Sequence, residues 1–395
     1  EPYRRQRQMC IRDRYSMLNR QKKFTIAICY DFDGTLSPNN MQEYSFIPKL
    51  QQEPKKFWED TSKIAKQNDS DQILAYMYLM CRRAREQGIE IKRQDFVNFG
   101  KNVEFFKGLT PEFNRESANG ELFGSIIPDW FERTKSCAKT FGAELKHYVI
   151  SSGIKEMIEG SKIGRKFDKI FASSFIYDEN GTAVWPAEAI NYTTKMQYLF
   201  RINKGVLDIQ KTINHYMPEP DRPVPFKRMI YIGDGMTDIP AMKLVKSQGG
   251  YSIAVHDGSR RKGKSSEKLL NENRVNFVAK ADYSQGSILE HQVMRVIAKI
   301  AAEKEVESKE YRKIDFADLD KEVPARIPEG TISAMDLALK ADPADWYYPD
   351  KGNNNIMAFE NIDTFDYYLV RGFAVVLSAG FGSCLLYTSP SPRDY

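Results

Sequence analysis

The 395-residue chain has few of the side chains that hold soft metals or staple small folds: four histidines and five cysteines. His147, His215, His256 and His291 are scattered without metal-ligand spacing, so each is read as structural or exposed. No CxxC pair occurs, which argues against a thiolate metal site or a thioredoxin-like redox motif. No apolar run approaches the roughly 18 residues that a membrane-spanning helix needs, and no internal repeat suggests a solenoid. Strong charge of one sign is missing too, the formal net charge being +5. What is present is the composition of a folded chain: 42% hydrophobic residues, 28% charged, with 23 Phe and 21 Tyr. Disorder is excluded by that apolar content, and the length suggests two or three domains.

Both ends read differently from the rest. RRQRQMCIRDR (4–14) and CLLYTSPSPRD (384–394) resemble translated sequencing-library adapters. Residues 1–16 are therefore expected to be adapter-derived or disordered and residues 384–395 adapter-derived, and both are set aside. The first segment carries five Arg and one Asp, so nearly all of the positive charge leaves with it. A nucleic-acid partner is then not expected. Cys10 and Cys384 go too, leaving Cys29, Cys81 and Cys137, an odd, widely spaced set that fits reduced thiols in a cytoplasm. Met17 is the expected start, and the short apolar run after it is no signal peptide.

FTIAICY (24–30) is a continuous apolar, β-branched run, the pattern of a strand buried on both faces of a parallel sheet. Similar runs recur at 147–151, 168–172, 228–233, 251–255 and 276–280. Between them, Ile127, Trp130, Phe131, Thr134, Ala138 and Phe141 fall at helical spacing. A second helix is predicted from Lys195 to about Ile213, with Thr193 and Thr194 as candidate N-caps. Strands alternating with helices predict a doubly wound, Rossmann-like α/β fold. Residues 41–110 break the rhythm as a helix-rich insertion after the first strand, with Met77 and Met80 in its own core. Residues 174–187 read as a β-hairpin turning at Asn180-Gly181. The basic run RRKGKSS (260–266) reads as a solvated surface loop, and residues 305–383 receive no fold.

Chemistry concentrates at strand ends. DFDGT (31–35) places two carboxylates, Asp31 and Asp33, just past the first strand, where α/β sheets bind ligands. Gly34 permits a tight turn close to a ligand. The second strand ends in Ser151-Ser152-Gly153, a hydroxyl and backbone amides able to hold a phosphate oxygen. GDGMTD (233–238) adds Asp234 and Asp238, oxygen ligands suited to a hard cation, although Asp238 alone reads equally as a helix N-cap. Lys195 offers a positive charge at a helix start, where the dipole adds to an anion site. Lys204, nine residues on, is the competing lysine.

DxDGT, a strand ending in Ser, a Lys at a helix start and GDGxxD, in that order, resemble the haloacid-dehalogenase-like hydrolase superfamily. The position of the insertion resembles the helical C1 cap of its phosphoserine-phosphatase-like branch. The resemblance implies core segments at 17–40 and 111–304, a cap at 41–110, an unassigned extension at 305–383 and a Mg²⁺ cofactor. It implies Asp31 as nucleophile, Asp33 as general acid and base, and Ser151 and Lys195 on the phosphoryl oxygens. Asp31, Asp33 through its backbone carbonyl, and Asp234 would bind the cation, with Asp238 binding or supporting. An aspartate at position 33 favours phosphate esters, since a halide leaving group needs no acid. The implied activity is hydrolysis of a small phosphorylated metabolite, in the cytoplasm, without nucleic-acid or membrane partners. A phosphotransferase and a catalytically silent binding module on the same fold stay open, as do substrate identity and oligomeric state.

Overall fold

The structure, a computed structural model, describes residues 24–118, 121–306, 366–370 and 373–377. Both adapter-like ends and most of the unassigned extension lie outside the described residues. Among the described residues, those from 24 to 306 form one compact unit and those from 366 to 377 belong to another. In the second, β10 (Asp366–Val370) pairs antiparallel with β11 (Phe373–Leu377).

The first unit is built on a seven-stranded sheet of order β6-β5-β4-β1-β7-β8-β9. Its strands are β1 (Phe24–Tyr30), β4 (Ala143–Ile154), β5 (Lys169–Tyr177), β6 (Ala183–Glu188), β7 (Met229–Gly233), β8 (Tyr251–His256) and β9 (Phe277–Lys280). All pair in parallel except β6, the antiparallel edge strand. This is the doubly wound α/β architecture predicted. Central β1 shows why its sequence lacks alternation. Ile26, Ile28 and Tyr30 face one buried layer, and Ala27 and Cys29 face the other.

After β1 come four helices: α1 (Phe46–Lys49), α2 (Pro54–Gln67), α3 (Gln72–Glu86) and α4 (Arg93–Gly100). Pro54 sits at a helix start, where its missing N–H is harmless. The Asp71 carboxylate caps α3 by accepting from the amides of Ile73 and Leu74. Met77 and Met80 are fully buried with Phe57 and Phe96. A hairpin of β2 (Glu112–Ala118) and β3 (Glu121–Ile127) follows, forming its own two-stranded sheet. Sequence reading missed it and gave Ile127 to the next helix. That helix, α5 (Trp130–Thr140), starts where Asp129 accepts a hydrogen bond from Glu132 N–H at 3.0 Å. Helix α6 (Lys155–Gly160) crosses α4 with backbones almost touching, since a Cβ on Gly160 would lie 2.0 Å from the Val97 carbonyl oxygen.

Three further expectations are corrected. Helix α7 (Thr194–Lys204) stops nine residues before Ile213, because Gly205 takes a left-handed C-cap conformation at φ 69°. Neither Thr193 nor Thr194 caps it through its side chain in the expected way. Asn191 Oδ1 accepts from both their amides at 3.0 Å. RRKGKSS is no loop but the first turns of α9 (Arg260–Asn271), which follows α8 (Ile239–Ser247). A last helix, α10 (Ile288–Val306), closes the unit. No helix among the described residues is long and apolar enough to cross a membrane.

Candidate active site

The carboxyl ends of β1, β4 and β7 meet at one edge of the sheet. Asp31 extends β1, its amide donating to Ile232 O at 3.0 Å, which sets it beside the end of β7. The next turn is tight: the amides of Leu36 and Ser37 both donate to the Phe32 carbonyl. Gly34, at φ +78°, lets that turn pass against β7, since a Cβ there would lie 2.2 Å from Asp234 Oδ2.

Lys195 joins the site from the first turn of α7. Its side chain is fully buried, and its ammonium lies 2.9 Å from Asp31 Oδ1 and 2.7 Å from Asp238 Oδ1. Burial opposes the lysine charge, but the Asp238 and Asp31 carboxylates outweigh it and raise the pKa above its ordinary value. Lys204 does something else. It donates to the carbonyls of Ile213 and His215 at 2.5 and 2.7 Å, securing the loop that replaces the expected end of the helix. Of the two candidate lysines, only Lys195 reaches the aspartates.

Asp31, Asp234 and Asp238 each offer a carboxylate oxygen within 4.8 Å of the others. Asp238 is saturated by protein donors: Oδ1 takes Lys195 and the Tyr231 hydroxyl at 2.8 Å, and Oδ2 takes Gly235 N–H at 3.2 Å. Asp31 Oδ2 accepts no hydrogen bond among the described residues, and Asp234 Oδ2 faces the Lys262 ammonium at 3.9 Å. The pKa of Asp31 is pushed well up by burial, then by Asp238, against the pull of Lys195. Asp234 rises to about 7, through burial first and Asp238 second. Buried carboxylates that oppose each other's ionisation, with oxygens unclaimed, suit a hard divalent cation. The donor set therefore fits Mg²⁺, and Asp238 fits the supporting position. The Asp33 carbonyl also accepts no backbone hydrogen bond among the described residues.

Asp33 sits on the opposite flank. Its Oδ1 accepts from Met41 N–H at 2.8 Å, and burial chiefly raises its pKa to about 7. A carboxyl poised there can give and take a proton near neutral pH. Ser151 is buried at the end of β4, where its Oγ accepts from Gly153 N–H at 3.0 Å. Gly153 itself must be glycine, because a Cβ would lie 2.1 Å from the Met41 methyl group. All six sequence-predicted residues thus gather at one sheet edge.

Several neighbours escaped sequence reading. The Tyr76 hydroxyl, from α3, donates to Ser152 O at 2.5 Å. Thr35 Oγ1 is buried and has no partner among the described residues. Met41, Gln42 and Glu43 close the Asp33 side. None of these has a spacing signal, although Thr35 lies inside the DxDGT motif.

The chain is similar to several known proteins. An uncharacterized protein of Borreliella burgdorferi is 29% identical over 301 residues, covering 70% of this chain and 98% of that protein. Among solved structures, a HAD family hydrolase from Salmonella enterica serovar Typhi superposes with TM-score 0.43 at 14% identity. It covers 68% of this chain and 70% of its own. A phosphoserine phosphatase in apo form gives 0.39 at 16% identity, over 65% and 93%. The family model for haloacid dehalogenase-like hydrolases matches residues 28–243, more than half of the chain. The chain belongs to the haloacid dehalogenase-like hydrolase family.

Proposed function

We propose that the protein is a Mg²⁺-dependent phosphatase that hydrolyses a small phosphomonoester through an aspartyl-phosphate. The observation that carries this reading is the buried Lys195 ammonium bridging Asp31 and Asp238, with Asp33 held apart on the Met41 amide. Asp31 is then fixed as an attacking oxygen, and Asp33 is free to exchange a proton.

In the first step Asp31 Oδ2 attacks phosphorus, a P–O bond to Asp31 forms, and the ester P–O bond breaks. The protonated Asp33 gives its proton to the departing alcohol oxygen. In the second, Asp33 takes a proton from water as the water oxygen attacks phosphorus. Inorganic phosphate leaves and Asp31 is regenerated. Lys195 and the Ser151 hydroxyl hold the phosphoryl oxygens and offset developing charge. Asp31, Asp234 and the Asp33 carbonyl would hold Mg²⁺, which supplies charge neutralisation between two anionic reactants. The helices of residues 41–110 act as a cap that excludes bulk water and chooses the leaving group. The enzyme works in a reducing cytoplasm, a reading supported by the free thiols Cys29, Cys81 and Cys137.

The test is phosphate release from a broad panel of phosphomonoesters, with Mg²⁺ or EDTA. Turnover should need the cation and fall at least about a thousandfold in Asp31→Asn, whose fold is checked by circular dichroism. Cation-independent turnover, or an active Asp31→Asn, would refute the reading.

A further inference from the structure

One side chain joins the helix that carries Lys195 to the insertion after β1. Asn191 Oδ1 accepts from the amides of Thr193 and Thr194, each at 3.0 Å, and from the Thr193 hydroxyl at 2.9 Å. In return the Asn191 backbone N–H donates to Thr194 Oγ1 at 2.8 Å, a reciprocal cap. The Asn191 carbonyl accepts from the Lys195 N–H at 3.0 Å, so the first turn of α7, and Lys195 with it, hangs from this residue. Because Oδ1 is committed to donors, the orientation of the side-chain amide follows, and Nδ2 is left to bond elsewhere. It donates to Asp71 Oδ2 at 3.0 Å, 120 residues back along the chain. Asp71 is itself the N-cap of α3, its Oδ1 accepting from the amides of Ile73 and Leu74 at 2.8 and 3.2 Å. Two helix caps therefore share one hydrogen bond.

A second chain of bonds runs beside the first. Further along α3, the Tyr76 hydroxyl donates to Ser152 O at 2.5 Å. The same carbonyl accepts from the fully buried Ser173 hydroxyl at 3.1 Å, and Ser173 Oγ accepts from Ile190 N–H at 3.0 Å. Ser152 follows Ser151 in the chain, and Ile190 precedes Asn191. Helix α3 thus holds both segments that carry the proposed phosphate-holding groups. It reaches the end of β4 through Tyr76 and the start of α7 through Asp71.

We propose that Asn191 is a positioning residue: its bond to Asp71 locks α3 to α7 and so sets the Lys195 ammonium against Asp31 and Asp238. The inference rests on the phosphatase reading and adds to it a reason for the insertion to control the rate. Lys195 sits 2.9 and 2.7 Å from its two carboxylates, a spacing that a small shift of α7 would break. Misplacing a charge-stabilising group by about 1 Å costs up to about a hundredfold in rate. Asp71 and Asn191 are themselves only partly buried, so the bond matters more for where α7 sits than for whether the chain folds.

Asparagine and aspartate cap helices about equally well, which makes a donor–acceptor exchange the test. Asp71→Asn sets two donors face to face and Asn191→Asp sets two carboxylates, while each helix keeps its cap. The double variant, Asp71→Asn with Asn191→Asp, restores one donor and one acceptor with the polarity reversed. On the full chain with Mg²⁺ and p-nitrophenyl phosphate, each single variant should lose about tenfold in kcat with KM within about threefold. The double variant should return to within about threefold of the parent. Inhibition by orthovanadate, whose five-coordinate adduct mimics the transition state, should weaken and recover in parallel. The double variant carries both substitutions, so its recovery excludes misfolding as the cause. Single variants with parental kcat, or a double variant no better than the worse single one, overturn the positioning role alone. Absence of release by the parent from p-nitrophenyl phosphate and from every other phosphomonoester overturns the phosphatase reading beneath it.

Discussion

Exchanging the two lysines of α7 for methionine separates a group that holds charge at the proposed reaction centre from one that holds a loop. Lys195 is fully buried between two carboxylates at 2.9 and 2.7 Å. Methionine keeps its length and apolar stem but leaves Asp31 and Asp238 buried side by side without a counter-charge. Breaking a buried ion pair from one side costs about 3–5 kcal/mol, because the remaining charge stays desolvated. Part of that is recovered when one carboxylate takes up a proton, so the lower end of the range is expected near pH 6 and the upper end at pH 8. For a unit of this size each kcal/mol moves Tm by roughly 2–4 °C, giving a fall on the order of 10 °C. Turnover should drop by at least about a hundredfold, since a fixed positive charge is lost where the transition state gathers negative charge.

Lys204 makes two bonds to carbonyls at the rim of the unit. Lys204→Met should lose about 1–2 kcal/mol of stability and keep kcat within about twofold. The assay is thermal unfolding by circular dichroism, paired with phosphate release at pH 6 and 8. If Lys195→Met unfolds within 2 °C of the parent and retains turnover while Lys204→Met loses it, the assignment of the phosphate-holding lysine is refuted.

Two glycines and one histidine offer independent checks. Gly34→Ala forces a Cβ to within 2.2 Å of Asp234 at φ +78°, so Mg²⁺ affinity measured by calorimetry should fall at least about tenfold. Gly160→Ala presses on the Val97 carbonyl at 2.0 Å and should lower stability by about 2–4 kcal/mol in urea melts; an unchanged midpoint would mean that α4 and α6 do not cross so closely. His147 is fully buried against Tyr30 and Phe131, and burial holds its pKa down at about 3. Its folded pKa is depressed, so its contribution is present above about pH 6.5 and is lost as pH falls toward 3. The parent should lose about 2 kcal/mol between pH 7 and 5 that His147→Leu does not lose. Asp31, Asp33 and Asp234 carry raised pKa values and the opposite slope, so the difference between the two proteins, not the raw curve, is the measurement.

The central strands were legible because burial on both faces of a parallel sheet demands an unbroken apolar run, and β1 and β7 supply one. The hairpin of β2 and β3 was not, since Glu112–Ala118 carries neither an apolar run nor strict alternation. Helix α7 was drawn too long for a related reason. Its apolar periodicity runs on past Gly205, and the left-handed φ of that glycine ends it. Arg201 then binds the carbonyls of Asp208, Ile209 and Lys211, tying down as loop what the pattern had offered as helix.

At the site, legibility followed the chain's own geometry. Asp31, Asp33, Asp234 and Asp238 stand within a few residues of buried strands, and a strand end fixes where its next side chains go. Lys195 was preferred to Lys204 for its place at a helix start, but a helix presents both lysines and only the docking of α7 decides which one turns inward. The residues that flank Asp33 had no such anchor. Gln42 and Glu43 lie on a 3₁₀ turn, Trp58 on α2 and Tyr76 on α3, and no spacing rule joins four residues from three elements. What joins them is one hydrogen bond from Trp58 to Glu43, one ring contact and one buried amide. The carboxylates of the candidate site are therefore legible at strand ends, and the tertiary contacts that flank Asp33 are not. Substitutions at Asp31 or Lys195 should accordingly decide whether any ester is cleaved.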